Sequence, residues 1–361
     1  AMQHDCRTAA LTALSPALVM LAFATTASSQ NSESFTESDD PASRAAVASR
    51  VFLQEMAGEK PKPSNPLELP DFREVYSNDF IVEAGDQWGN ARLSLTPVDK
   101  RPCLGFYGSE SVQFSAKRLP DHQLLFISFD LFLRGTWDGS SNYWGPDLWE
   151  LSLIDGRRLM RTSFSNCKPV RNDEQSYPDD YPCPPHAGWT GASEFATLGY
   201  PHSFARSLKN PWLDSVYSIA VAVPHISGRL HLSMTGLYSD PLSDQAWAVA
   251  NFRVAVASRR PLEHGEGELL WRQLGDDDPV RANAALWRLA SAGDQAIRVA
   301  REQLESMAGG ASLDTLLLGP SQRWQIRRAR RLARVVGGSE SQALLAQLAS
   351  LDTADEDFLP N

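Results

Sequence analysis

The chain has 361 residues, 42% hydrophobic and 22% charged, which is long enough for about two domains and typical of neither a disordered nor a polytopic membrane protein. A formal net charge of −10 and a pI near 5.2 disfavour a nucleic-acid partner, because phosphate binding needs a basic surface. The negative excess lies early in the chain: residues 258–352 hold 13 Arg and no Lys against 12 Asp plus Glu.

Residues 9–28, AALTALSPALVMLAFATTAS, follow Arg7 and precede the small residues Ala27-Ser28-Ser29-Gln30. That is the pattern of a secretory signal peptide over 1–29. Pro16 interrupts the run, and an uncleaved membrane anchor stays open as the alternative. Either route implies export, to the periplasm, cell surface or extracellular space. Without the leader three cysteines are left, Cys103, Cys167 and Cys183. Cys167 and Cys183 flank the Pro-rich loop KPVRNDEQSYPDDYP, which predicts a Cys167–Cys183 disulfide, with Cys103 a buried strand thiol.

Residues 30–71 read as a linker, with a candidate helix at Ser43–Ala57. From 72 to 257 short β-type runs are separated by Gly, Pro, Asn and Asp, as in an all-β sandwich. Ala91–Leu95, Leu104–Tyr107, Val112–Phe114, Leu124–Leu133, Leu148–Ile154, Val216–Val223, Arg229–Thr235 and Trp247–Val256 are its predicted strands. From 262 to 350 the period becomes helical. Glu268–Leu274, Val280–Ser291, Asp294–Met307, Gln322–Val336 and Ser339–Ala349 are punctuated by glycines and form a short α-solenoid-like array, followed by a tail at 351–361. The fold class is therefore multidomain, all-β plus all-α.

Residues 269–304, LLWRQLGDDDPVRANAALWRLASAGDQAIRVAREQL, together with RRARRLARVVGGSESQALLAQLA at 327–349, resemble a helical module attached to WD-repeat propellers and other domains in planctomycete-type bacterial proteins. This chain joins the two parts by only MAGGASLDTLLLGPSQ, where that module usually inserts further helices. The resemblance implies scaffolding or contact and no reaction. VYSNDF at 75–80, RLPDHQLLFISFDLFLRGTWDG at 118–139, GPDLWELSL at 145–153, RTSFSN at 161–166 and DQAWAVANFRVAV at 244–256 resemble, in that order, exported bacterial concanavalin-like or jelly-roll sandwiches. In that family the closing strand usually reads Asp-Glu-Ser-Trp-Gly-Ile-Asp-Asn. Here Gln245 and Ala250 stand in place of its inner acids.

The densest polar cluster is Trp137-Asp138-Gly139-Ser140-Ser141-Asn142, followed by Asp147. Asp138, Asn142 and Asp147 are candidate Ca²⁺ ligands, because Ca²⁺ takes hard oxygens on flexible loops, and Asp130 or Asp244 could join them across the sandwich. The competing reading is that these residues only make turns. Trp137, Tyr143 and Trp144, with Asp138 and Asn142 beside them, form a candidate saccharide platform, in which rings stack on sugar faces and polar groups bond hydroxyls. Strand alternation instead sends Trp149 inward with Asp147, Leu151 and Leu153. Arg323, Arg327, Arg328, Arg330, Arg331 and Arg334 share one amphipathic helix, open either to acidic lipid or polyanionic glycan or to internal pairing, with Asp276 to Asp278 as candidate acids.

No Gly-x-Ser-x-Gly, His-Glu-x-x-His or Walker pattern is present, and His122, His186, His202, His225 and His231 are scattered singly. The first reading is a non-catalytic exported or envelope-associated binding or adhesion-type protein, whose sandwich takes a glycan or cell-surface polymer. The second is a structural protein whose helical array docks a protein partner. The third is a glycan hydrolase or lyase, catalytic residues none visible.

Overall fold

The computed structural model describes residues 72–167, 174–207, 209–238, 240–309 and 318–349; the leader, the linker helix and the tail lie outside them. Strand β6 (Leu124–Gly135) sets the architecture. Leu125, Ile127, Phe129, Leu131 and Leu133 alternate along it and are each at most 3% exposed, whereas Ser128, Asp130 and Arg134 point the other way and are half-buried. One apolar face at a two-residue period requires a second layer to cover it.

The layer to which β6 belongs has seven strands among the described residues. β6 lies between β12 (Asp214–Pro224) and β14 (Gln245–Ala257), antiparallel to both, in the register Ser218↔Asp130↔Ala250. β11 (Glu194–Phe195) extends it beyond β12. β1 (Arg73–Asn78) and β4 (Pro102–Tyr107) pair with the other side of β14, and β3 (Leu93–Leu95) closes that edge. The covering layer runs β2 (Trp88–Gly89), β5 (Ser111–Lys117), β13 (Arg229–Leu237), β7 (Leu148–Leu153) and β8 (Arg158–Ser163). A two-strand ribbon of β9 (Glu174–Gln175) and β10 (His186–Ala187) stands apart. The result is an antiparallel β-sandwich. Between the sheets Trp88, Phe114 and Phe252 meet in edge and tilted ring contacts, as do Phe129, Trp149 and Trp247, and a stacked Phe129–Phe252 pair joins the two groups.

Five helices follow: α1 (Glu266–Leu274), α2 (Pro279–Ala290), α3 (Asp294–Ala308), α4 (Pro320–Val336) and α5 (Ser339–Ala349). Asp278 caps α2, its Oδ1 accepting from the Val280 and Arg281 N–H groups at 3.0 and 3.3 Å, with Pro279 in the first position. The helices do not stand off as a separate body. α2 and α4 pack on β12, α4 also on β8, and one continuous apolar cluster runs from Trp149 and Tyr217 through Trp287 to Leu332.

The arginines of α4 seal that junction, and of the two readings open for them Arg328, Arg330 and Arg331 take internal pairing. Arg328, 2% exposed, meets the Asp179 carboxylate in a two-pronged fork at 2.9 Å per prong, and its Nη1 donates to Leu274 O and Asp276 O. Arg331 donates to Pro178 O at 2.6 Å and lies 3.2 Å from Asp180 Oδ1, and Arg330 donates to Leu348 O. The acids are therefore Asp179 and Asp180; of the predicted Asp276 to Asp278 run, only the main chain of Asp276 serves Arg328. Arg323 and Arg334 are the exposed members, with Arg327 between the extremes.

The disulfide expectation is also corrected. Cys167 and Cys183 form no disulfide: Cys167 Sγ donates to Asp138 Oδ1 at 3.2 Å, and Cys183 Sγ is directed at Ser176 O. A disulfide needs the two Cβ atoms about 3.5–4.5 Å apart and aimed at each other. Here each thiol has its own partner in the packed structure. Cys103 is a buried thiol on β4, as expected, and burial pushes its pKa up to about 12.

Burial alone would raise the Asp179 carboxyl, yet the Arg328 fork and His186 hold it well below the ordinary carboxylate range. Its folded pKa is thus depressed, so the stability it contributes is complete above the unfolded value near 3.9 and is lost as pH falls below it. Arg328→Met is expected to cost about 3 kcal/mol by leaving the buried Asp179 carboxylate with His186 as its remaining side-chain partner. Sheet and helix signals should melt together in urea at neutral pH. Helices that unfold first, with the sandwich transition unmoved, would refute the shared core.

Candidate functional site

The 135–149 connection leaves β6 and enters β7 over a base in which glycine is required. Gly135 (φ +87°) would place a Cβ 1.7 Å from Asp244 O, and Gly139 (φ +67°) one 1.9 Å from Glu174 O. At its tip Ser141 Oγ accepts from the Tyr143 and Trp144 N–H groups, each at 3.3 Å, while Asp147 N–H donates back to Gly139 O at 3.0 Å. A short hydroxyl turn thus fixes two aromatic residues on a pinned loop. Tyr143 is 80% and Trp144 55% exposed, with their rings edge to face at 4.5 Å, and Asn142 beside them is exposed.

The other predicted members of the cluster lie inside. Trp137 is fully buried, its Nε1–H donating to Ala246 O and its ring set against Phe164 and Tyr238, so its place on a saccharide platform is corrected to the core. Asp138 and Asp147 are 7% and 1% exposed and adjoin, Asp147 Oδ2 accepting from the Asp138 N–H at 2.5 Å. Burial pushes the Asp147 carboxyl up to about 7, with the Asp138 charge adding to the rise against the Asp138 N–H and Gln245. Gln245 is fully buried against Asp147, but neither its amide oxygen nor its nitrogen finds a partner of good hydrogen-bond geometry.

The oxygen donors gathered in the loop are thus two enclosed carboxylates and an amide, fewer than the six to eight ligands of Ca²⁺. Asn142 lies outside that group. Among the described residues no three His, Cys, Asp or Glu side chains come together as a metal shell. Asp244 is engaged with Thr136 Oγ1 and His202, and Asp130 with Ser218 and Asn251. Of the three predicted ligands, Asp138 and Asp147 are brought together inside and Asn142 is exposed at the loop tip.

Sequence spacing also missed two groupings. His122 and His225, 103 residues apart, are joined by an Nε2···Nδ1 contact of 2.7 Å with stacked rings, and burial, with His122 and Arg157, pushes His225 down to about 4. His186, His202 and His231 bond Asp179, Asp244 and Ser115, so every histidine in the sandwich has a structural partner. The second grouping is a polar row of Ser218, Asp130 and Asn251 across the outward face of the seven-stranded sheet. It is drawn from three separate strands, and only Asn251's position in an otherwise apolar run hinted at it.

No protein-family model and no curated protein matches the chain. Solved structures similar to it include three with a TM-score of 0.22 each. A family GH115 4-O-methyl-α-glucuronidase with specificity for decorated arabinogalactans is 8% identical, over 50% of this chain and 17% of its own. The C-terminal CBM6 module of a marine laminarinase from Zobellia galactanivorans is 9% identical, over 51% and 92%. A carbohydrate-binding module of type CBM27, described for specific mannan recognition, is 11% identical, over 55% and 96%. This chain therefore spans about a sixth of the glucuronidase.

The Asp147 carboxyl has a folded pKa of about 7 against an ordinary 3.8, so the fold disfavours its ionised form. That cost is complete above pH 7 and disappears as pH falls through 7 towards 4. Asp147→Asn, which keeps an oxygen for the Asp138 N–H, is expected to be more stable than the parent at pH 8. The gap should shrink by about 1.4 kcal/mol per pH unit between 7 and 4. Urea unfolding at pH 8, 6 and 4.5 measures it; a gap independent of pH contradicts the burial argument.

Proposed function

We propose that the chain is an exported, non-catalytic binding protein whose sandwich takes a saccharide against Tyr143 and Trp144. The observation that carries this reading is the exposed, edge-to-face pair at the tip of a loop pinned by Gly135, Gly139 and the Ser141 turn. Aromatic surface left in water on a rigid support gives an apolar face with little ordering cost on binding. Sugar rings present matching C–H faces, and Asn142 adds a hydrogen-bonding amide alongside. Catalysis draws no support from the one adjoining carboxylate pair of this loop, because Asp138 and Asp147 are enclosed away from any substrate. The helical portion acts in this reading as a brace, with its buried arginines directed at the sandwich.

Titration calorimetry of the leaderless chain with neutral hexose oligosaccharides, with and without chelator, tests the proposal. Trp144→Ala is expected to weaken binding about tenfold or more, the equivalent of about 1.4 kcal/mol, and Tyr143→Ala by a smaller factor. Both side chains are exposed, so the melting temperature should hold. Unchanged affinity in both variants would remove the platform. Loss of binding in chelator would reinstate a cation near Asp138 and Asp147.

A further inference from the structure

The outward face of the seven-stranded sheet carries chemistry that the Tyr143–Trp144 reading does not use. At mid-strand, Asp130 of β6 accepts from Ser218 Oγ of β12 at 2.8 Å and from Asn251 Nδ2 of β14 at 2.7 Å. The floor around this row is small: Ser128, Ala220 and Ala250. On one side, Leu198 and Tyr200 of the 196–200 segment cover the sheet, packing with Cys103, Phe132 and Val216. On the other rises the 79–83 turn, and between it and β14 lies an open pocket of about 390 Å³ bounded by Asn78, Asp79, Glu83, Asn251 and Arg253. Pockets of roughly 300–1,000 Å³ are the size that holds small ligands.

The backbone aims a side chain into this pocket. β14 is a central strand, yet its pairing with β6 slips between Ala250 and Arg253, and Asn251 takes φ 51°. The bulge sends Phe252 into the core, fully buried, and leaves Asn251 outside and exposed. A bulge interrupts the ladder of a central strand, and such bulges recur where a side chain is re-aimed at a functional site. Asn78 builds the opposite wall: its Nδ2 donates to Glu83 O and Ala84 O, and its Oδ1 accepts from Phe80 N–H.

The groups that reach the pocket are hydrogen-bonding and unbalanced in sign. Among the residues lining it, Asp79 and Glu83 stand against one cation, Arg253, whose Nη1 is already 4.0 Å from Glu74 Oε2. Carboxylates concentrated beside one partly neutralised guanidinium repel an anion and accept from hydroxyls. Val82, 84% exposed, adds an apolar contact at the rim. We infer that the Asp130–Asn251 row and its adjoining pocket form a second saccharide subsite, selective for neutral, hydroxyl-rich sugars over uronates. This inference rests on the saccharide-binding reading above and assigns it a second place and a charge preference.

The test is calorimetry on the full chain with mannohexaose and laminarihexaose as neutral probes and an oligogalacturonate hexamer as the anionic one. Asn251→Gly removes the amide while suiting the positive φ, so it should keep the melting temperature and weaken the neutral probes about fivefold or more. Trp144→Ala should retain the residual binding that Asn251→Gly lowers, and Asp79→Asn with Glu83→Gln should narrow at least a tenfold preference for neutral sugar. If Trp144→Ala abolishes binding and Asn251→Gly binds like the parent, the second subsite is overturned while the aromatic platform stands. If neither substitution changes affinity, or the parent binds no neutral probe, both fail. Equal affinity of the parent for the galacturonate hexamer overturns the charge preference.

Discussion

Arg328 enters the junction between helices and sandwich with four of its five guanidinium donors committed: two to the Asp179 carboxylate, and two from Nη1 to the carbonyls of Leu274 and Asp276 at the end of α1 and just past it. Trp324 lies over its face at 4.4 Å, and His186 stacks on that same ring while bonding Asp179. A charge at 2% exposure is tolerated only with such extensive pairing. The end of α1, the turn at 178–180 and the middle of α4 therefore hold one relative placement. The apolar contacts of Trp287, Tyr217 and Leu332 then fill a space whose outline that polar node has set. The helical array is packed against β12 of one sheet and β8 of the other.

Much of this was legible in the residues, because it depends on periods. The alternation of β6 and β7 predicts which side chains face inward, Trp149 included, and the Asp-Pro and Gly punctuation marks helix ends to within a few residues. β8 escaped because Arg158 and Arg161 interrupt its apolar run and mask the strand pattern. What period cannot show is which distant segment meets a face. Six arginines on one helix look the same whether water or a second layer covers them. Two cysteines flanking a loop look the same whether they bond each other or, as here, an aspartate and a carbonyl.

The candidate site divides along the same line. Tyr143 and Trp144 follow directly from local turn chemistry, so the sequence placed them outside. Trp137 lies two residues past the end of β6 and goes inside, where its N–H meets the Ala246 carbonyl. The Ser218–Asp130–Asn251 row is invisible locally, since its members are 88 and 121 residues from one another through Asp130. Only the pairing of three strands makes them neighbours.

The junction has one property that bears on how such a chain can change over time. Arg331 addresses Pro178 O, and Arg330 addresses Leu348 O, just as Arg328 addresses Leu274 O and Asp276 O. These contacts read the path of the main chain, not the identity of the side chains along it. Leu274, Asp276 or Leu348 could be exchanged without loss of the acceptor, provided the backbone kept its course. Correlated substitution would therefore trace the Arg328–Asp179 and Arg331–Asp180 pairs and pass over the carbonyl contacts of the seam, leaving those silent in any comparison of sequences.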